Sequence, residues 1–320
     1  MPTHHQHYTA VPFYRPEIEE LRFLPEGPRV LQNFETREKT LAWVAIQHSA
    51  DSTHGSINLL DLESGTNDSR PLPGRPGFFA ETTKPGVLLV GLDRKLVLFD
   101  LSTNTVEDLG LRVTEDPRVI INDGVAVPGG VLFGTKDLRF KDPIAALYFY
   151  DESTKAVRTI LDQQTCSNGK AVLGDHLIDI DSSPKSISRY RIEGNFEKVT
   201  NPSLIRPAGD LIGYPDGLRP INEDSVLVAF YNPEHISDGV AQQIRVSDGA
   251  IQCEWRIPGS PRVTCPEFVA VDGRVKVLFV TAVEGMPPEI MAIAPHAGSF
   301  FLADTPSDFR MPTRPPLVQL

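Results

Sequence analysis

The chain reads as an all-β protein, a six-bladed β-propeller with a metal site in its central channel. Three observations lead there. Glu26, Asn122, Asn168 and Asp216 recur at one or two multiples of about 48 residues, a repeat length typical of propellers and solenoids. From residue 41 onward, short runs rich in Val, Ile, Leu, Phe and Tyr alternate with Gly, Pro, Asn and Asp, and no window holds an apolar stripe of helical period. Finally, 28 prolines and 24 glycines punctuate all 320 residues, as a turn-rich β chain requires.

The elements follow in order. Residues 41–47 form the first apolar run, and 56–62 alternates before the turn Glu63-Ser64-Gly65. Residues 86–92 and 95–101 predict a hairpin about Asp93-Arg94. Strands are then predicted over 131–135, 145–151, 171–180, 186–192, 225–231, 241–246, 276–282 and 298–303. Extending the period adds Gly74 and Thr264 to the four oxygen-bearing positions, making six repeats that fill about 288 residues. An N-terminal arm (1–19) and a C-terminal tail (306–320) then flank one domain over 20–305. Six four-stranded blades close a ring with short edges, whereas an open solenoid needs capping repeats that the chain lacks. Phe78, Phe79, Trp43 and Trp255 are expected to pack between blades.

Composition narrows the function. A formal charge of −11 without Lys/Arg clusters argues against nucleic acid or an anionic membrane as partner. The longest apolar runs, 87–90 and 145–150, are too short to span a bilayer. The first twenty residues carry histidines, Arg15 and acids but no apolar stretch of signal-peptide type. Cys166, Cys253 and Cys265 have no metal-type spacing and read as buried thiols in a reducing compartment, so a cytoplasmic, monomeric protein with a small-molecule substrate is expected. His4, His5 and His7 have no carboxylate or cysteine nearby in sequence and read as a mobile terminus.

In a propeller the innermost strands all start at one end of the channel, so residues there meet despite long separations. Glu26, Asn168 and Asp216 bring two negative charges and an amide carbonyl, which suits one hard divalent ion. Ca²⁺ fits best, and Mg²⁺, Mn²⁺, Zn²⁺ or Fe²⁺ are admissible. The bland reading is that each is a turn residue, since Asn168-Gly169 and Asp216-Gly217 are good turn dipeptides. The common register of all four favours a site.

The local sequences Pro25-Glu26-Gly27-Pro28, Asn122-Asp123-Gly124, Gly134-Thr135, Ser167-Asn168-Gly169 and Pro215-Asp216-Gly217 resemble the stations of the senescence marker protein/gluconolactonase/luciferin-regenerating-enzyme family. Asp179-Ile180-Asp181-Ser182, Val263-Thr264-Cys265, residues 278–282 and Pro295-His296-Ala297-Gly298 continue the series in order, so the resemblance covers about residues 20–305. It implies a propeller with one catalytic divalent metal, commonly calcium, that hydrolyses lactones and related esters or phosphoesters. Glu26, Asn168 and Asp216 would be metal ligands and Asn122 a ligand or substrate contact. Asp216 would also act as base toward water, although a carboxylate beside a cation is a weakened base. Asp123 is either support for Asn122 or a neighbouring amide, or a turn former before Gly124.

The chain departs from that pattern where sugar-lactone members carry an arginine, two residues before Asn122. Ile120 stands there, and Arg118 lies on the same strand face as an imperfect substitute. Val127 replaces the usual Asp before Pro128, and Ala45 ends the usual Trp-Val-Asp. A substrate less polar than an aldonolactone is therefore expected. Glu234 and His235 sit in a polar stretch, 232–239, that either lines the channel mouth or forms a solvated loop. A metal-dependent isomerase or cyclase and a non-catalytic calcium-binding regulator are the competing functions.

Overall fold

The computed structural model describes residues 5–34 and 39–320. Six sheets form six blades of one β-propeller. The innermost strands, in chain order, are Pro25–Val30, Pro76–Glu81, Val119–Val127, Ser167–Leu173, Tyr214–Asn222 and Val263–Val271. Each touches the innermost strands of both neighbours, blade 6 against blade 1 included, so the ring is closed.

The blades are glued face to face by apolar side chains. Trp43 of blade 1 meets Phe300 of blade 6 edge-on, with ring centres 5.1 Å apart, and Phe78 of blade 2 stacks on Phe133 of blade 3 at 5.5 Å. The second strands are buried along their whole length in Thr40–Ala45, Val87–Leu92 and Gly130–Asp137, which is why they read as continuous apolar runs. Outermost strands such as Thr105–Arg112 and Lys198–Arg206 are largely exposed and polar, so hydropathy does not mark them. The run 171–180 is not one strand: Ser167–Leu173 and His176–Asp181 form a hairpin, with Gly174 in the left-handed region that its turn demands.

The two ends of the chain are part of the ring. Within the expected arm, Val11–Tyr14 pairs antiparallel with Phe300–Asp304 and completes blade 6, while Gln6–Thr9 adds a fifth, parallel strand beside Ile251–Ile257 of blade 5. Both segments cover strand edges that would otherwise be open to association. His7 of the histidine cluster is therefore held in a strand and His5 directly precedes it, while His4 lies outside the described residues. The tail crosses the far mouth of the channel, where Val318 bridges to Thr82 and is 1% exposed. No helix among the described residues is long and apolar enough to cross a membrane.

Every innermost strand has a register irregularity near its start, at Glu26/Arg29, Pro76/Phe78, Ile121/Asp123, Ser167/Lys170, Pro215/Leu218 and Val263/Cys265. A bulge leaves its extra residue out of the ladder and re-aims its side chain. The four oxygen-bearing residues stand at four of these bulges. In blade 2 the equivalent is Gly77, not Gly74, which lies before the strand. A Cβ at Gly77 would come within 2.4 Å of the Ile121 carbonyl oxygen, so only glycine allows blade 3 this close.

Candidate metal centre and active site

The bulges bring the predicted residues together at the near end of the channel. Asn122 Nδ2 donates to Asn168 Oδ1 at 2.8 Å and to the Ser167 carbonyl at 3.1 Å. Asn168 Nδ2 donates to Ser182 Oγ at 2.7 Å, and that hydroxyl donates to the Pro215 carbonyl at 2.6 Å. This relay ties blades 3, 4 and 5 through side chains and fixes both amide orientations. Asn122 Oδ1 is left without a protein donor, as is the second lone pair of Asn168 Oδ1, so two neutral oxygens remain available for a ligand.

The two carboxylates close the set from blades 5 and 1. Burial pushes Glu26 up to about 7, against the pull of the Cys265 thiol, whose Sγ lies 2.9 Å from Oε2. Burial also drives Asp216 well above the usual carboxylate range, and the neighbouring charges of Glu26 and Asp123 drive it further. Among the described residues none donates to Asp216 Oδ1, which is fully buried without a partner. An unpaired buried carboxylate is costly, and a bound cation is the group that would satisfy it. The donors are all oxygens, from two carboxylates and an amide, so the set fits a hard divalent ion held by Glu26, Asn168 and Asp216.

Three features of the site carry no sequence signal. Lys136 is 3% exposed, and its charge lowers the pKa of Glu26 and Asp216. It pairs across the ladder with Ile120, so the strand partner puts a cation on the face where the expected guanidinium is missing. Its Nζ lies 5.3 Å from the centre of the Phe140 ring. Cys265, read as a plain buried thiol, bonds Glu26, while Thr264 turns its hydroxyl onto the Pro25 carbonyl at 2.8 Å and so serves blade closure. Tyr231, Arg262 and Glu284 form a third cluster: Tyr231 donates to the Glu284 carbonyl at 2.8 Å, and Arg262 Nη1 donates to the Tyr231 hydroxyl at 3.0 Å.

The remaining predicted residues divide. Arg118 is not brought to Asn122 by any contact; its guanidinium binds Asp116 and Asp142, each at 3.0 Å, and pins the 137–144 loop. Asp123 accepts from the Gly124 amide at 2.7 Å and pairs with Lys170 Nζ at 3.2 Å, so it is both a turn residue and an ion partner. Glu234 and His235 are exposed in a loop held by Asn232, whose Oδ1 caps the Glu234 amide. Deeper along the channel, Arg29 and Arg219 converge on Glu267 at 3.3 and 3.2 Å. Between this cluster and the tail lies a cavity of about 370 Å³, walled by Phe79, Val127, Ile221 and Met311.

Comparison with known proteins agrees with this fold. The profile of the family described as "SMP-30/Gluconolactonase/LRE-like region" matches residues 24–284. An L-arabinolactonase from Azospirillum brasilense is 29% identical over 248 residues, spanning 73% of this chain and 76% of that protein. Among solved structures, regucalcin, a calcium-binding protein from Agrobacterium tumefaciens strain C58, superposes with a TM-score of 0.79 at 19% identity, covering 98% of this chain and 99% of the other. A luciferin-regenerating enzyme gives the same TM-score of 0.79 at 17% identity, covering 97% of this chain and 100% of its own.

Proposed function

The chain belongs to the SMP-30/gluconolactonase/LRE-like family, and on that premise we propose that it is a divalent-metal-dependent lactonase acting on a cyclic ester less polar than an aldonolactone. The observation that carries the metal is the orphaned Asp216 carboxylate, buried against the charge of Glu26. The lactonase name of the Azospirillum relative and the calcium-binding regucalcin neighbour support the same reading.

When bound, the ion would polarise the ester carbonyl and stabilise negative charge on its oxygen. The chain's own residues do the rest. Glu26, Asn168 and Asp216 hold the ion, Ca²⁺ by preference for oxygen donors. Asn122, clamped through its Nδ2, offers Oδ1 to the substrate or the ion. Asp216 has one oxygen to spare for a proton taken from the attacking water. Ring opening produces a carboxylate, and Lys136 is the ammonium placed to balance its charge. Ile120 stands where the sugar-lactone pattern carries an arginine, which supports a substrate with fewer polar groups. The substrate is a small molecule, and the closed ring needs no second copy for stability.

The test is hydrolysis of a panel of lactones and aryl esters by metal-stripped protein with Ca²⁺, Mn²⁺ or Zn²⁺ restored. Turnover should return with metal and drop by roughly 10²–10³-fold or more in Asp216→Ala. Tight metal binding without any ester cleavage would overturn the hydrolase and point to the isomerase or cyclase. Full biological activity in an Asp216→Ala protein that still binds Ca²⁺ would leave only the calcium-binding regulator.

A further inference from the structure

We propose that the propeller carries a second metal site, outside the channel, in which His5, His7 and Glu254 bind a borderline divalent cation of the zinc type and clamp the N-terminal strand to blade 5. His7 lies in strand Gln6–Thr9, and His5 directly precedes that strand. Strand Gln6–Thr9 runs parallel to Ile251–Ile257 with His7 in register with Glu254, a residue 247 positions away that no local reading of the sequence brings into play. His7 Nδ1 lies 3.6 Å from Glu254 Oε1, and the two imidazole rings are 4.4 Å apart. Donor atoms of all three residues lie within 4.8 Å of one another. Zinc takes bonds of about 2 Å to nitrogen and oxygen, so binding would draw the three side chains closer together.

Two further observations point to a ligand. His5 Nε2 is buried and has no hydrogen-bond partner, an uncommon state that a bound cation would resolve. Glu254 is already oriented: its Oε2 accepts from Gln242 Nε2 at 2.8 Å, and Gln242 is 3% exposed. That bond leaves Oε1 toward the histidines, the arrangement in which a neighbouring group fixes a metal-binding carboxylate. Two nitrogens and one carboxylate oxygen suit Zn²⁺, Co²⁺ or Ni²⁺ and not calcium, so this site and the channel differ in the cation they select. The site sits on the outermost strand of blade 5, whereas Asp216 lies on the innermost. Its purpose would be mechanical, because the strand it holds leads directly into Val11–Tyr14, which completes blade 6.

The experiment saturates the protein with Ca²⁺ and then titrates Co²⁺ or Zn²⁺ by calorimetry and by Co²⁺ absorption, with Asp216→Asn run in parallel. One further equivalent should bind in both proteins, with imidazole-type Co²⁺ bands, and amide exchange over residues 6–9 should slow by about tenfold or more. His7→Ala and Glu254→Gln should each weaken that equivalent by about tenfold or more while lactone hydrolysis is unchanged. Zinc binding that survives in His5→Ala/His7→Ala, or that leaves exchange over residues 6–9 untouched, would overturn the proposal.

Discussion

The two ends of one channel are built from the same six strands, yet they treat charge in opposite ways. At the far end, Arg219 places Nε on Glu267, Nη1 on the Leu218 carbonyl and Nη2 on the Pro28 carbonyl, while Arg29 shares the same carboxylate. Lys170, with a fully buried side chain, is matched by Asp123. At the near end, the charge of Glu26 acts on Asp216, and among the described residues Asp216 Oδ1 has no hydrogen-bond donor. Paired buried ions are structural, because each partner removes the other's desolvation penalty. Unpaired ones persist where a ligand completes them. The contrast marks the near end as the candidate site without reference to any pocket, and the cavity lies at the other end.

The comparison can be broken most decisively through stability. Arg219→Met should destabilise the protein by about 3 kcal/mol, because it removes one guanidinium from a buried carboxylate, while Asp216→Asn should leave stability unchanged or raise it. Urea unfolding of both variants without added metal tests this, and equal losses would show that the ends do not differ. The metal comes next. Saturating Ca²⁺ at about 100 times its Kd should stabilise the wild type by about 2.7 kcal/mol, have no effect on Asp216→Asn, and act undiminished on Arg219→Met. Thermal unfolding with and without Ca²⁺ reads all three, and an equal shift in Asp216→Asn would move the ion out of the near end.

The smallest effect sharpens the boundary between the ends. Asp179, hydrogen-bonded to Gln164, is pushed up to about 7 chiefly by burial. A carboxyl whose folded pKa exceeds its unfolded value of about 3.9 holds its proton in the native state while the unfolded chain releases it. Its contribution to stability is therefore complete below pH 4 and fades as pH rises through about 7. Relative to wild type, Asp179→Asn should gain on the order of 1–2 kcal/mol between pH 5 and pH 8. Parallel pH profiles for the two proteins would mean that Asp179 is ionised and belongs with the paired ions of the far end.

The amino-acid sequence by itself determined the repeat, the fold class and the four oxygen-bearing stations. Glu26, Asn122, Asn168 and Asp216 recur at a common interval, and a period needs no knowledge of contacts to be seen. The exposed outer strands stayed hidden because they bury too little to be apolar. Gly77 escaped because it lacks a side chain to mark it and the intervals around it are uneven. Lys136 and Lys170 carried no signal, since lysine is rarely buried without a partner, and Lys170 finds Asp123 on a neighbouring blade. Only the tertiary structure could join Cys265 to Glu26 and Glu254 to His7, because those contacts exist after the ring closes and the two chain ends meet. Local pattern records what each strand must bury, whereas ring closure decides which buried charges find a partner and which are left for a ligand.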